Sequence, residues 1–92
     1  MLNSVSIIGA LKNKDKLDAR IRYLQVERCY DYSGIEKELD IVPLVNWNKE
    51  PTGEIFIFPD STLVAIRGRI ETVNQKMVIV VETITNLGLK YK

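Results

Sequence analysis

The chain has 92 residues, of which 46% are hydrophobic and 27% are charged, and its formal net charge is +1. This length suits one domain spanning residues 1–92. A net charge this small gives no support, taken over the whole chain, for a nucleic-acid partner. No apolar run approaches the roughly 20 residues of a membrane span and no secretory signal is present, so we expect a cytoplasmic protein. The sequence has no histidine and a single cysteine, Cys29, which excludes an internal disulfide and argues strongly against a zinc site.

Charge is distributed unevenly along the chain. Residues 1–28 carry a net charge of +3, residues 29–62 carry −5 and residues 63–92 carry +3. If the two ends meet in the fold, they form a basic face despite the nearly neutral sum. The alternative, that the charges cluster by chance, stays open at this point.

The first half of the chain predicts three strands. Residues 5–11 form the first, in which Gly9 marks a bulge or a close approach of two backbones. A polar loop, residues 12–18, leads to a second strand over residues 19–32, whose two sides both mix polar and apolar residues; this pattern predicts a bend or bulge part-way. The third strand covers residues 40–47, and Pro43 within it predicts a sheet edge or a bulge because proline has no N–H to donate.

The second half of the chain predicts a hairpin. Residues 54–58, EIFIF, lie between chain-breaking residues and allow either a strand or one helical turn. Residues 63–72 and 77–87 are rich in branched and aliphatic side chains, and Val73-Asn74-Gln75-Lys76 turns the chain between them. Five short strands with turns at regular intervals predict an all-β fold with at most one short helix, either a small barrel or a sandwich.

Several segments, taken in order, resemble the bacterial single-stranded DNA-binding protein family. The opening MLNSVSIIGAL is similar to the family's first strand, VERCYDYSG to the end of its second strand and DIVPLVNW to its third. The stretch STLVAIRGRIETVNQKMVIVVETITNLG is similar to the family's closing hairpin. The resemblance spans residues 1–88 and implies a five-stranded antiparallel OB-fold barrel, with residues 89–92 as a short C-terminal extension. It also implies sequence-independent binding of single-stranded DNA, usually by a dimer or tetramer.

The chain departs from the family pattern at several places. Ala10 stands where the family usually has a basic residue, so one phosphate contact is expected to be missing. The segment PTGEIFIFP is poor helix material, so the family's helix between strands three and four is expected to be short or replaced. The turn TVNQKM is too short for a long DNA-wrapping finger. The chain stops at Lys92 without the family's acidic tail, so we expect a tailless variant, similar to the primosomal relative of the fold, without tail-mediated recruitment of partners.

Binding of single strands needs flat aromatic faces for the bases and cations along the phosphates. Tyr30 and Tyr32 lie near a predicted hairpin tip, and Trp47 ends the third strand between two asparagines, so we predict that all three stack on bases. Ordinary packing of the two tyrosines, and a structural role for Trp47 at the end of the barrel, are the alternatives. Tyr23 is assigned to packing or to a subunit interface rather than to DNA.

Arginines and lysines near the predicted binding face are the candidate phosphate contacts. The strongest candidates are Arg28 and the pair Arg67 and Arg69, which share one face of a strand because Gly68 points the other way. The alternative for the paired arginines is an ordinary solvated face. The loop lysines within residues 12–16 are assigned to long-range attraction of the polyanion rather than to fixed contacts. The remaining candidates are Arg20, Arg22, Lys49 and Lys76.

The predicted function is therefore DNA binding in replication, recombination or repair. No histidine base, activated nucleophile or phosphate-binding glycine loop is present in the sequence, so no enzyme activity, cofactor or metal is expected.

We expect a nucleoid-associated homo-oligomer, in which the apolar first strand and a free edge at Pro43 pair across a two-fold axis. The alternatives are a protein-interaction or primosome-like accessory module with weak or no DNA binding, and binding of RNA through the same surface.

Overall fold

The computed structural model describes residues 3–14, 16–27 and 39–90 of the chain. Its strands close into a barrel in the order β1-β2-β3-β5-β4. The predicted all-β fold, with five strands and at most one short helix, is therefore confirmed. The elements in chain order are β1 (Val5–Lys14), β2 (Ile21–Glu27), β3 (Leu39–Asn46), α1 (Glu54–Ile57), β4 (Thr62–Val73) and β5 (Lys76–Lys90).

The pairing pattern shows how the barrel closes. The first part of β1 pairs with β4 and its last part pairs with β2, both in antiparallel fashion. The pairs β2–β3 and β4–β5 are antiparallel as well. β3 pairs with β5 in parallel, from Leu44 to Asn46, so the predicted antiparallel barrel is corrected at this one seam. The reason is topological: the chain crosses over through α1 and β4 before β5 returns beside β3 in the same direction.

The barrel interior is filled by aliphatic side chains from all five strands. Strand residues alternate between the two faces of a sheet, so every second residue of β2, β3 and β4 enters this interior. Burial of each of these side chains contributes roughly 1.5–3 kcal/mol relative to exposure. The fully enclosed cluster consists of Leu11, Leu24, Leu44, Ile55, Val64, Ile66, Ile79 and Val81.

Two glycines allow backbones to approach each other closely. A Cβ atom added to Gly9 would lie 2.5 Å from the carbonyl oxygen of Gln25, which confirms the predicted close approach. The irregularity in β1 lies further on, between Leu11 and Lys14. Gly68 of β4 abuts the backbone of Val80 in the same way, next to a second irregularity in the β4–β5 ladder. Any side chain at either glycine would push neighbouring strands apart.

The ends of three predicted elements differ from expectation. β1 continues to Lys14 and takes in part of the predicted loop, and β5 continues to Lys90 and takes in part of the predicted C-terminal extension. The hairpin turn contains only Asn74 and Gln75, with φ values of 51° and 67°. Positive φ at both central residues is what a type I′ turn requires, because its twist matches that of the flanking strands.

The ambiguous segment before β4 is a helix of one turn. The Phe58 N–H donates to the carbonyl oxygen of Glu54 over 3.1 Å, and Gly53 precedes the turn with a φ of 97°. The prediction that any helix at this place is short is therefore confirmed. The turn matters to the barrel because its Ile55 is buried in the main core.

The second and third strands form a regular ladder in the described residues. β2 pairs with β3 without a register shift from Ile21 to Glu27, so the predicted bend is absent from this range, and the remainder of the predicted strand lies outside the described residues. The prediction of an edge at Pro43 is confirmed: Pro43 faces Tyr23 of β2, but the pairing of β3 with β5 begins only at Leu44. Within the described residues, β3 therefore has no strand paired to it on one side of its proline.

Candidate nucleic-acid interface

A cleft with an apolar floor lies on the outside of the barrel, where the segment after β1 approaches the β4–β5 turn. We call it the barrel cleft. Its volume is about 410 Å³, and its walls come from the start of β2, the end of β3, the turn after β3 and the β4–β5 turn. The residues that line it are Leu17, Asp18, Arg20, Ile21, Tyr23, Pro43, Val45, Lys49, Val73, Asn74, Lys76 and Val78.

The floor of the barrel cleft is a second, smaller hydrophobic cluster. Val45 follows Leu44, which points into the barrel, so Val45 points to the outer face of β3. There it packs with Val78 of β5, and Ile21 and Val73 cover the same cluster from the side. Val45 and Val78 are themselves nearly buried, so the apolar surface that a ligand can reach comes mainly from the half-buried Ile21 and Val73. Apolar surface of this kind suits an aromatic ligand.

The rim of the barrel cleft carries three cationic side chains. Arg20 Nε lies 3.1 Å from Asp18 Oδ1, and its second guanidinium nitrogen reaches the other carboxylate oxygen at 3.2 Å. Lys49 Nζ lies 3.1 Å from Glu71 Oε1. Lys76 is exposed and forms no ion pair with another described residue. Of the three rim cations, Lys76 is thus the one that an anion reaches without displacing a carboxylate.

Ion pairs link the rim of the barrel cleft to the outer face of β4. Glu71 contacts Lys49 on one side and Arg69 on the other, where Arg69 Nε donates to Oε2 over 2.7 Å. Arg69 also approaches Glu82 at 3.4 Å. Hydrogen bonds from Lys49 and then Arg69 lower the pKa of Glu71, and a side-chain hydrogen bond from Arg20 lowers the pKa of Asp18. Both carboxylates therefore stay ionised at neutral pH and neutralise part of the rim.

The predicted stacking residue Trp47 lies beside the barrel cleft rather than within it. It belongs to the turn in which the Lys49 N–H donates to the carbonyl oxygen of Asn46 over 2.8 Å, and it is 64% exposed. The backbone N–H of Trp47 donates to Asn46 Oδ1 over 3.0 Å. Trp47 lines a neighbouring pocket of about 370 Å³, and the acidic residues Glu54 and Glu82 line the same pocket. The surroundings of Trp47 are therefore less favourable to phosphate than the barrel cleft.

Arg67 and Arg69, the predicted arginine pair of β4, have different surroundings. Gly68 is buried between the two arginines, so both side chains lie away from the core, as predicted. Arg67 is exposed and lines a different groove, together with Ile8 and Thr83. Arg69 is engaged by the acidic residues described above. Neither arginine lines the barrel cleft.

The buried position of Arg22 corrects the prediction that this residue contacts DNA. Its side chain is 5% exposed, because its position on β2 points toward the core and not to solvent. Its guanidinium donates to the carbonyl oxygens of Ile55 at 2.8 Å and Phe58 at 2.5 Å, and Nε donates to that of Lys12 at 2.7 Å. Burial lowers the pKa of the Arg22 guanidinium. Arg22 therefore fastens α1 and the end of β1 to β2 and is withdrawn from any phosphate.

Three further predicted contacts, Arg28, Tyr30 and Tyr32, lie outside the described residues. Sequence reasoning also missed the apolar floor of the barrel cleft. Ile21 belongs to a predicted strand whose two sides both mix polar and apolar residues, and Val73 falls in the predicted hairpin turn. One feature of the sequence does indicate this floor. The closing hairpin carries runs of branched residues at both ends, and these are more apolar side chains than one face of a barrel can bury.

The described residues hold no group of three or more histidine, cysteine or acidic side chains that could bind a metal ion. Within the same part of the chain, no helix is long and apolar enough to cross a membrane.

Comparison with known proteins identifies the fold. No known protein family matches the sequence, and no curated protein sequence is significantly similar to it. Solved structures do match. A small single-stranded DNA-binding protein from Mycoplasma pneumoniae is similar with a TM-score of 0.64 and 16% identity, over 99% of this chain and 100% of the other. The dimeric N-terminal domain of the PriB protein from Thermoanaerobacter tencongensis is similar with a TM-score of 0.55 and 16% identity, over 95% and 98%. The barrel is therefore an OB-fold of the kind found in small single-stranded DNA-binding proteins.

Proposed function

We propose that this protein binds single-stranded DNA without sequence preference, by stacking and phosphate contacts, and acts in DNA replication, recombination or repair. The observation that supports the proposal most strongly is the barrel cleft, which combines an apolar floor with Arg20, Lys49 and Lys76 at its rim. Flat apolar surface for bases beside cations for phosphates is the combination that single-strand binding requires. OB-folds use the outer face of strands two and three, with the loops that flank it, for oligonucleotides.

The solved structures support the same proposal. One similar protein is described as a small single-stranded DNA-binding protein, and both likenesses extend over nearly the whole length of each chain. We extend the proposal to the candidates that do not line the barrel cleft. Trp47, Arg67 and Arg69 remain proposed contacts of a strand that continues beyond the cleft, and so do Arg28, Tyr30 and Tyr32.

Titration of a labelled oligo(dT) by fluorescence anisotropy tests the proposal. We expect binding that weakens steeply as salt rises, with a slope of log K against log salt of about −0.7 for each phosphate neutralised. Duplex DNA of the same length is the control and is expected to bind more weakly. Quenching of Trp47, the single tryptophan, would show contact with that residue. Absence of binding to oligo(dT) at low salt would refute the proposed function.

The surroundings of Trp47 favour a second candidate, a protein-interaction module. An exposed tryptophan beside Glu54 and Glu82 suits a cationic side chain of a partner protein better than it suits a phosphate. Under this candidate, oligo(dT) binds weakly or not at all. Under the first, binding depends on the rim of the barrel cleft whether or not Trp47 is quenched.

Removal of the Glu71 charge is expected to strengthen DNA binding. In a Glu71→Gln variant, Lys49 and Arg69 lose the carboxylate that now neutralises them, so we expect affinity for oligo(dT) to rise about two- to fivefold at low salt. Anisotropy titration measures the change. Glu54→Gln is the matched control, because Glu54 is exposed on α1, does not line the barrel cleft and forms no ion pair with a described residue. Equal gains in both variants would show that only net charge matters.

We also propose that the protein self-associates through β1. Among the described residues, 5–9 pair with β4 and not with β2, whose pairing with β1 begins at Ala10, and Ile8 within this segment is 59% exposed. An edge of this kind attracts a second strand, and a symmetric pair would cover it. An Ile8→Lys variant is expected to shift the mass measured by light scattering toward the monomer. An unchanged mass would place the subunit interface elsewhere or show that the wild-type protein is a monomer.

A further inference from the structure

One side of β5 has no strand paired to it after Val81 in the part of the chain that the structure describes. β5 pairs with β4 from Lys76 to Lys90, but with β3 only from Ile79 to Val81. Residues 82–88 therefore form an edge of the sheet, which we call the β5 edge. All of them except Ile84 are exposed. Backbone N–H and C=O groups on such an edge can pair with another extended chain.

The sequence of the β5 edge gives little protection against such pairing. Residues 83–87, TITNL, contain no charge and no proline, which are the usual means of blocking an edge. Threonine and isoleucine are favoured in strands, and five residues match the usual length of a strand. Glu82 places a charge at one end only, and Gly88, with a φ of 75°, turns the backbone at the other.

The charged end of the β5 edge opens into the pocket of about 370 Å³ beside Trp47. The pocket and the edge are continuous, because Glu82, Thr83 and Ile84 belong to both. An extended chain that pairs with the edge therefore reaches the pocket with one of its side chains. The exposed indole of Trp47 offers that side chain a flat aromatic surface.

Charge decides which side chain suits this pocket. No described basic residue lines it, whereas Glu54 and Glu82 do. Glu54 forms no ion pair with a described residue, and Glu82 approaches Arg69 only at 3.4 Å, in an exposed pair that contributes little. Lysine and arginine bind both to aromatic faces and to carboxylates. The pocket therefore suits a cationic side chain and repels a phosphate.

We propose that the β5 edge binds an extended basic segment of a partner protein. The backbone of this segment pairs with residues 83–87, and one of its lysines or arginines lies against Trp47 between Glu54 and Glu82. The proposal goes beyond DNA binding in the barrel cleft and does not depend on it. It also gives the second candidate function a mode of recognition, the addition of a strand to an exposed edge.

A set of synthetic peptides tests the proposal. The probes are threonine-rich peptides of about seven residues, each with one lysine at a different position. At low salt, at least one of them is expected to shift the backbone amide signals of residues 82–88 in NMR spectra and to slow their hydrogen exchange about tenfold. The signals of residues 17–23, in the barrel cleft, are expected to stay unchanged. Absence of binding by every peptide would overturn the proposal.

Methylation of the peptide backbone tests strand pairing itself. The tightest peptide is N-methylated at every second residue, in both possible registers. Alternate N–H groups of a strand point to opposite sides, so only one register blocks the hydrogen bonds to β5. That register is expected to lose more than about tenfold in affinity, and the other to stay within about threefold. Equal affinities in the two registers would contradict pairing with the β5 edge.

Reversal of one charge tests the pocket. Glu54→Lys is expected to weaken binding of the lysine peptide more than about tenfold at low salt and to strengthen binding of its glutamate analogue. Glu50→Lys is the matched control, because Glu50 is exposed, does not line the pocket and changes the net charge equally. We expect it to lose less than about threefold. Thermal denaturation verifies that both variants are folded. Equal losses would show that only net charge acts and would refute the pocket.

The outcomes separate this proposal from the proposed function. The peptide titrations contain no DNA, so peptide binding without any binding of oligo(dT) would support the partner site and refute the proposed function. Oligo(dT) binding with no peptide binding would do the reverse. Shifts of residues 82–88 that arise when the protein alone is concentrated would assign the β5 edge to a second copy of the chain and overturn the proposal of a basic partner.

Discussion

Replacement of Lys76 by glutamate is expected to weaken binding of oligo(dT) about thirtyfold at low salt. Lys76 stands at the rim of the barrel cleft and is not neutralised by any described carboxylate. The substitution removes an attraction of about 1 kcal/mol to a phosphate at contact distance in water and adds a repulsion of similar size. The loss is expected to shrink as salt rises, since the interaction is screened over about 10 Å at 0.1 M salt.

Arg67→Glu is the matched control for this prediction. It changes the net charge by the same amount, and Arg67 is exposed on a strand surface that does not line the barrel cleft. With an oligo(dT) of about 5 nucleotides, which is short enough to occupy only the barrel cleft, Arg67 is out of reach of the DNA. We then expect Arg67→Glu to lose less than about threefold in affinity, from the long-range field alone. The slope of log K against log salt separates a lost contact from a weakened field, because only the former lowers it by about 0.7 or more. An equal or larger loss in Arg67→Glu would move the primary interface to the outer face of β4.

Replacement of Arg22 by methionine is expected to lower the free energy of unfolding by about 2–4 kcal/mol. Methionine fills much of the same volume but donates no hydrogen bond, so the carbonyl oxygens of Lys12, Ile55 and Phe58 lose their donor. Each hydrogen bond from a charged group contributes about 1.5–3 kcal/mol, but methionine avoids the cost of burying a guanidinium charge, which offsets much of the sum of the three bonds. For a domain of this size, thermal denaturation should show a melting temperature lower by about 10–25 °C.

Arg20→Met forms a crossed comparison with Arg22→Met. Arg20 lies two residues earlier in the sequence, and its side-chain hydrogen bonds to described residues go to the neighbouring Asp18, at the surface. Its loss is expected to change the free energy of unfolding by less than about 1 kcal/mol and to weaken oligo(dT) binding several-fold. Arg22→Met, measured well below its melting temperature, is expected to keep binding within about threefold. A stable Arg22→Met protein with strongly reduced DNA affinity would contradict the structural role of Arg22.

The fold was largely predictable because strand periodicity and chain breakers are local signals. The closing hairpin, the edge at Pro43 and the close approach at Gly9 follow from properties of single residues and their neighbours. The parallel pairing of β3 with β5 does not, since it depends on how the whole chain returns after α1. The length of the β4–β5 turn also differs, because Val73 and Lys76 extend the ladder up to a turn of two residues.

The candidate site was predictable only in part. Arg20, Lys49 and Lys76 were predicted one by one, and the fold brings them to one cleft. Arg22 lies in β2 and points inward, whereas Arg20 lies in the turn before β2, so strand alternation does not place the two side chains on one face. The inward position of Arg22 is not evident from the sequence because a buried arginine breaks the apolar pattern. The carboxylate that neutralises Lys49 is also distant in the sequence, because Glu71 lies on β4 and Lys49 lies in the turn after β3. Charge patterns in the sequence do not reveal such pairs.

The central claim is that single-stranded DNA binds in the barrel cleft, and backbone amide chemical-shift mapping by NMR during titration with oligo(dT) tests it most directly. The proposed function predicts that the largest shifts fall on residues 17–23, 43–49 and 73–78, which surround the cleft, and that they shrink when salt is added. Shifts confined to the outer faces of β1, β4 and β5, or no shifts at all at low salt, would contradict it.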